Sequence, residues 1–293
     1  MTEEVTAPET PEEEKKEKGI LVVFRFIFVP LIVVGVVVFI VVLFGQMALK
    51  QKSVQDYLYD IRTGSQSERW QAAYHLSNLL ANPKKDYAAE ARRQLPEMIL
   101  IFKKAKGNDP DIRRYMALAL GRLKDPRAIP ALQESVDDED SQTVLWSLWA
   151  LGSIGDPQAT PIVIGKLESQ DPAVRSMSAY VLGALADRRG IPPLQGHLDD
   201  SSPEVTWNSA IALARMNDDS GSDILQKLLD RKYLANFPNV NEENKTEAMV
   251  NAIKAAAKLP DPELNARIKA VSRSDPSPRV RDAAMQALTN QKQ

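Results

Sequence analysis

The stretch ALGRLKDPRAIPAL, residues 119–132, recurs along the chain with a fixed spacing. ALGSIGDPQATPIV follows it after 31 residues, at 150–163, and VLGALADRRGIPPL follows after 31 more, at 181–194. Self-similarity at a fixed period of this length is typical of solenoids, in which each unit packs against the next one. The sequence therefore predicts a repeat architecture before any local preference is considered.

Other features recur with the same period and show how each unit is built. An aspartate or serine followed by proline indicates a helix start, because the side chain caps a free backbone N–H and proline fits the first turn. Each unit predicts a helix of about twelve residues, a turn, and a shorter second helix. The rows in register are Asp109, Asp140, Asp171 and Ser202; Leu120, Leu151, Leu182 and Leu213; Asp125, Asp156, Asp187 and Asp218; and Pro130, Pro161 and Pro192.

The repeated unit resembles a known family. DPDIRRYMALALGRLKDPRAIPAL, residues 109–132, is similar to the HEAT-like repeats of the phycobilisome-lyase type, whose pattern is roughly D-P-x-V-R-x-x-A-A-x-A-L-G-x-L-G-D-P-x-A-x-P-x-L. The copy at 171–194 also matches, with Arg188 in place of the second proline. The resemblance covers about residues 65–290 and implies an all-α fold, an α-solenoid of HEAT-like helical hairpins. It implies no single function, since such repeats serve many unrelated roles.

A long apolar run precedes the repeats. Phe26 to Gly45 contains no charged residue, and as a helix it would be about 30 Å long, the thickness of a bilayer's hydrocarbon core. It is longer than the apolar region of a signal peptide and ends without a small-residue cleavage site. The sequence therefore predicts one transmembrane helix within residues 19–49, with residues 20–45 in the bilayer, and a single-pass membrane protein.

The rest of the chain divides around this run. Residues 1–18 hold seven glutamates and three lysines and predict a disordered acidic tail. Residues 50–64 predict a juxtamembrane linker, and residues 65–293 the solenoid, with the regular repeats at about 109–232. The flanking lysines and arginines slightly favour an extracytoplasmic solenoid, and the repeat type suggests a bacterial inner membrane.

Residues suited to catalysis are scarce. The chain has no cysteine and two histidines, His75 and His197, and no glycine-rich phosphate-binding motif is present. Residues 65–293 carry 30 basic and 30 acidic side chains, which disfavours nucleic-acid binding. The sequence therefore predicts a protein that is not an enzyme, without a cofactor, a metal site, a nucleic-acid partner or a small-molecule substrate.

Two rows of the first helices carry apolar side chains where the family pattern usually has exposed polar ones. Residues four apart lie on one helix face, so stacked repeats would align these side chains as an apolar ladder. An exposed apolar ladder would be a partner-binding surface, whereas burial in the core is the alternative interpretation. The candidate partner-binding residues are Leu118, Leu145, Trp149, Tyr180, Trp207 and Ile211.

Charge is segregated along the repeats. Residues 65–127 carry 13 basic and 7 acidic side chains, whereas residues 128–262 carry 11 basic and 20 acidic ones. Basic side chains near a membrane are attracted to anionic head groups, although a solvated mixed face is the alternative. The candidate membrane-surface residues are Lys84, Lys85, Arg92, Arg93, Lys103, Lys104 and Lys106.

Together these features favour a membrane-anchored protein-interaction scaffold, or an accessory subunit of a membrane protein complex, that binds protein partners through the solenoid surface. The alternative is a maturation factor or enzyme related to the HEAT-repeat bilin lyases.

Overall fold

The structure is a computed structural model of the 293-residue chain and describes residues 28–48, 52–81 and 87–291. The chain divides into two compact units, Met1–Lys52 and Ser53–Gln293. In the first unit the structure describes one helix, α1 (Val29–Ala48). The predicted acidic tail at 1–18 lies outside the described residues.

The predicted membrane span is not supported. Across residues 28–48, 52–81 and 87–291, no helix combines the length and the apolar character needed to cross a bilayer. The prediction of a single-pass membrane protein is therefore wrong. The predicted bilayer contact through residues 20–45, the extracytoplasmic solenoid and the bacterial inner membrane depended on that span and fall with it.

The second unit is built from helices, and no strand occurs in its described part. This confirms the predicted all-α repeat solenoid. Its α-helices, in chain order, are α2 (Val54–Thr63), α3 (Gln66–Leu80), α4 (Tyr87–Arg93), α5 (Leu95–Lys104), α6 (Pro110–Leu123), α7 (Ile129–Gln133), α8 (Ser141–Ile154), α9 (Thr160–Gly165), α10 (Pro172–Leu185), α11 (Ile191–Gly196), α12 (Pro203–Arg215), α13 (Ser222–Leu228), α14 (Arg231–Ala235), α15 (Glu242–Ala256), α16 (Pro262–Ser274) and α17 (Pro278–Asn290).

The long helices of the regular repeats begin with the spacing that the sequence predicts. α6, α8, α10 and α12 start at Pro110, Ser141, Pro172 and Pro203, each 31 residues after the one before. Asp140 and Asp171 cap α8 and α10, because their side chains accept hydrogen bonds from the backbone N–H groups of Thr143 and Ala173. Asp109 and Ser202 form no such bond, so the proline alone marks the start of α6 and α12.

The turn after each long helix is also set by an aspartate. Asp125, Asp156 and Asp187 each accept a hydrogen bond from the backbone N–H two residues further on. For Asp187 the guanidinium of Arg189 adds two more hydrogen bonds and holds the pKa of this carboxyl below its usual range. These bonds start short 3₁₀ turns that lead into α7, α9 and α11: Pro126–Ala128, Pro157–Ala159 and Arg188–Gly190.

The long helices pack side by side at short range because glycines lie between them. A Cβ atom at Gly121 would be 2.6 Å from Cα of Ala150, and one at Gly183 would be 2.8 Å from Cα of Ala212. The leucines that precede these two glycines, Leu120 and Leu182, are buried. The shorter helices α7, α9 and α11 also bury apolar side chains. Each hairpin therefore completes its core only against the next one.

The first helix of the solenoid lies where the sequence analysis expected a linker. In α2 the side chains of Val54, Leu58 and Ile61 are buried, and their spacing of four and three residues places them on one helix face. Ser53 and Asp56 form a capping box at its start. The helical solenoid therefore begins near residue 54, one helix earlier than expected.

Candidate partner-binding groove

The predicted apolar ladder is not continuous. Leu118, Trp207 and Ile211 are buried, with exposed fractions of 8%, 3% and 3%. Leu145 and Trp149 are half-buried, and Tyr180 is 37% exposed. A buried side chain does not form part of an exposed surface. The prediction of an exposed ladder is therefore wrong at Leu118, Trp207 and Ile211.

Trp207 is covered by a segment that interrupts the repeat pattern. Its ring lies 6.5 Å from the ring of Tyr233 and 5.1 Å from that of Phe237, measured between centroids. The indole N–H donates a hydrogen bond of 3.3 Å to the hydroxyl of Tyr233. Tyr233 belongs to α14, a helix that the regular repeats do not contain. The ladder therefore ends at α12 because this segment packs over it.

The other ladder residues line one groove on the face of α8, α10 and α12. Its volume is about 620 Å³, within the range of about 300–1,000 Å³ that is usual for ligand pockets. Leu145 and Trp149 contribute from α8, and Met177 and Tyr180 from α10. The period thus brings three predicted residues, Leu145, Trp149 and Tyr180, to a single site. Its other lining residues are Pro172, Ala173, Ser176, Ser202, Glu204 and Asn208.

Neighbouring side chains hold the aromatic rings of the groove in place. Trp146 packs edge-to-face on Trp149, with ring centroids 6.3 Å apart. The guanidinium carbon of Arg215 lies 5.4 Å from the ring centroid of Tyr180, a cation–π distance. Trp146 is itself 37% exposed and was not among the predicted residues, because it lies one position after Leu145 and so outside both rows.

The polar groups of the groove are few and fixed. The side-chain amide of Asn208 donates a hydrogen bond of 2.9 Å to the hydroxyl of Ser176. The hydroxyl of Ser202 donates one of 2.9 Å to the carboxylate of Glu204. Within the part of the chain that the structure describes, no lysine or arginine forms an ion pair with Glu204. An apolar lining with a small number of fixed polar groups is the usual composition of a binding site.

A second cluster of exposed aromatic residues lies on α3 and α6. Trp70 stacks on Tyr115 at 6.5 Å between centroids, and Tyr74 packs edge-to-face on Tyr115 at 5.3 Å. Trp70 and Tyr74 are both partly exposed. Trp70 and Tyr74 were not among the predicted partner-binding residues, although their spacing of four residues places them on one helix face.

The candidate membrane-surface residues stand apart from this groove. Lys84 and Lys85 lie outside the described residues. Arg92 and Arg93 at the end of α4 are exposed, and so are Lys103, Lys104 and Lys106. Lys103 forms an ion pair of 2.7 Å with Glu134 of the next repeat. Their predicted contact with lipid head groups stays a prediction, since nothing in the structure tests it.

Both histidines have structural contacts. The ring of His75 lies 6.2 Å from the ring of Tyr57 and 5.4 Å from that of Tyr74. The two ring nitrogens of His197 lie 2.9 Å and 3.0 Å from the backbone oxygens of Pro193 and Leu167, so this ring joins two repeats. In the ranges that the structure describes, no group of three or more His, Asp or Glu side chains could hold a metal ion.

Several solved structures are similar to this chain in fold. The complex of CpcE and CpcF of phycocyanin lyase from Nostoc sp. PCC7120 matches with a TM-score of 0.54 and 18% identity, over 82% of this chain and 95% of that one. A designed armadillo repeat protein in complex with the peptide (KR)4 matches with a TM-score of 0.46 and 15% identity, over 82% and 99%. Human deoxyhypusine hydroxylase matches with a TM-score of 0.36 and 17% identity, over 85% and 98%.

Comparison of sequences points to the same architecture. The family described as HEAT repeats matches residues 100–166 and 160–234. A search of curated proteins found no match. The matched residues include α6 and the three helices that carry the groove, α8, α10 and α12. The regular repeats of this chain are therefore similar to HEAT repeats, and they are arranged as an α-solenoid.

Proposed function

We propose that this chain is a scaffold that binds a protein partner through the groove on α8, α10 and α12. The observation that carries the proposal is that Trp149 and Tyr180, from successive repeats, line one open cavity with Leu145 and Met177. Large aromatic side chains are enriched among the residues that dominate binding energy at interfaces. An apolar groove left open to solvent is typical of an interaction site.

The dimensions of the groove favour a short segment of a partner rather than a flat surface. A volume of about 620 Å³ accommodates a few side chains. The groove crosses three repeats that pack against one another through glycines and buried leucines. A rigid site of this kind binds with little reorganisation, so less of the interaction energy is lost to ordering.

The proposed role is binding rather than catalysis. The polar groups of the groove, Ser176, Asn208, Ser202 and Glu204, are joined in pairs by hydrogen bonds, which suits recognition of a ligand's polar atoms. The likeness to the phycocyanin lyase complex is one of fold at 18% identity. The alternative of a maturation factor related to bilin lyases therefore has no support from the groove itself.

The proposal is tested by retention of a partner. The tagged full chain, its Tyr180→Glu variant and a Gln158→Glu control would be purified from cells of its source, and the retained proteins identified by mass spectrometry. Gln158 is exposed in the turn before α9 and does not line the groove. We expect a partner that the unaltered chain and the control retain and that the Tyr180→Glu variant loses. Equal retention by all three proteins would place binding elsewhere.

A further inference from the structure

We propose that the partner segment carries an arginine or lysine side chain between apolar ones, and that Glu204 receives this basic group. The inference rests on the proposed binding function of the groove and adds the chemistry of its ligand. It follows from three observations: a carboxylate that has no basic partner among the described residues, aromatic rings in the same cavity, and an excess of acidic side chains in this part of the chain.

The first observation is the state of Glu204. Its carboxylate lines the groove and accepts a hydrogen bond of 2.9 Å from the hydroxyl of Ser202. Among the described residues, no lysine or arginine pairs with it, whereas nearby Asp140 and Asp200 have Arg114 and Arg175 as partners. A carboxylate has room for about four hydrogen bonds. Glu204 therefore keeps capacity for a donor from a ligand, and a charged donor forms the strongest bond with it.

The second observation is the set of aromatic rings in the same cavity. Trp149 and Tyr180 line it together with Glu204. Tryptophan and tyrosine faces attract ammonium and guanidinium groups, and arginine stacks on them especially well. Arg215 contacts the ring of Tyr180 but does not line the groove. The rings of the cavity therefore add favourable contacts for a basic segment whose charged group is received by Glu204.

The third observation is the charge around the groove. Residues 128–262 carry 20 acidic and 11 basic side chains. Two arginines of this region are paired with carboxylates: Arg175 with Asp200, and Arg114 with Asp111 and Asp140 together. Arg215 packs on the ring of Tyr180 outside the groove lining. A basic segment would be attracted to this region and an acidic one repelled. The apolar side chains beside the base would contact Leu145 and Met177, which supply the rest of the lining.

The amide of Asn208 suits the backbone of such a segment. Its Nδ2 donates to Ser176, and no donor among the described residues reaches its Oδ1. A backbone N–H of the bound segment could therefore donate to this oxygen. Recognition would combine one charged side chain, one backbone group and two or three apolar contacts.

The test titrates the full chain into a labelled synthetic peptide in which arginine alternates with leucine. The fluorescence anisotropy of the peptide reports its binding. A second peptide has citrulline in place of each arginine, which keeps the shape and removes the charge. We expect the arginine peptide to bind at least about tenfold more tightly than the citrulline peptide. Glu204→Gln should weaken the arginine peptide by about tenfold and leave the citrulline peptide unchanged. The control Asp223→Asn, an exposed acid on α13 outside the groove, should behave as the unaltered chain.

Several outcomes would overturn the inference. Equal affinities for the two peptides, both lost in Tyr180→Glu, would show that the groove binds segments without selecting charge, and the proposed function would stand. If the arginine peptide binds the Glu204→Gln and Tyr180→Glu variants with the same affinity as it binds the unaltered chain, the acidic surface in general holds it and the inference is wrong. No binding of either peptide would also refute the inference, while retention of a partner decides the proposed function separately. If analytical sedimentation shows a dimer of the unaltered chain that the Tyr180→Glu variant does not form, a second copy of the chain occupies the groove instead of a basic segment.

Discussion

The guanidinium of Arg175 forms two hydrogen bonds of 2.8 Å with the carboxylate of Asp200, 25 residues further along the chain. Arg113 and Asp138 repeat this arrangement with the same separation. In the copy between them the arginine position is occupied by Val144. Each aspartate lies in the turn that leads to the next long helix. The ionic joint is therefore present in the first and third of these copies and absent from the second.

The first prediction concerns this joint. Asp200→Ala leaves the guanidinium of Arg175, whose side chain is 14% exposed, without its partner. We expect the free energy of unfolding to fall by about 3 kcal/mol, because an unpaired buried charge costs more than the pair contributes. Urea denaturation measures the change. The control Glu134→Ala, which removes the exposed pair with Lys103, should cost less than about 1 kcal/mol. Equal losses in the two variants would contradict the structural role of the joint.

A second prediction follows from Asp140. Hydrogen bonds from the guanidinium of Arg114, assisted by Thr143, lower the pKa of this carboxyl to about 2, whereas in an unfolded chain the pKa is about 3.9. A depressed folded-state pKa contributes stability that is present above the unfolded pKa and is lost as the pH falls through the folded one. The unaltered chain should therefore lose its advantage over Asp140→Asn as the pH is lowered from about 5 to about 2. Urea titrations at several pH values measure this, and a constant difference would refute it.

The third prediction tests the close approach of the long helices. In Gly183→Ala the new Cβ would lie 2.8 Å from Cα of Ala212, so α10 and α12 must move apart. We expect a loss of about 2 kcal/mol in the free energy of unfolding. Gly196→Ala is the control, since nothing lies within 4 Å of a Cβ there, and it should change stability by less than about 1 kcal/mol. Thermal denaturation of the two variants compares them directly, and similar melting temperatures would contradict the packing.

The fourth prediction separates the buried part of the ladder from the groove. Trp207→Ala should lower the free energy of unfolding by about 4 kcal/mol, because the ring is buried against Tyr233 and Phe237. Tyr180→Ala should cost less than about 1 kcal/mol, because the ring is partly exposed. Chemical denaturation of both variants checks the order. A larger loss for Tyr180→Ala would mean that the tyrosine belongs to the core.

The sequence predicted the regular part of the fold closely, because each long helix of the regular repeats starts one residue after the aspartate or serine that recurs with the period. The starts of α8 and α10 at Ser141 and Pro172 follow directly from it. Burial was the alternative interpretation of the ladder, and the period could not decide it for Trp207, because the segment that covers this ring interrupts the repeats and has no counterpart in the period. Helix α2 was missed for a different reason: Val54, Leu58 and Ile61 have helical spacing, but they were assigned by their position next to the apolar run.

The groove was predicted in part. Leu145, Trp149 and Tyr180 stood out because they replace polar residues in a repeated pattern. Glu204 and Asn208 did not, because polar residues near a helix start are ordinary in sequence. Their role depends on which helices stand side by side, and that arrangement becomes visible only when three repeats are assembled.

The central claim is that a partner segment occupies this groove, and site-specific photo-cross-linking tests it most directly. Benzoylphenylalanine would replace Tyr180 in one protein and Gln158 in another, and cross-linked peptides would be mapped by mass spectrometry after irradiation in cells. We predict an adduct from position 180 to one partner segment that contains arginine or lysine, with none from position 158. Adducts of equal yield from both positions, or from position 158 alone, would contradict it.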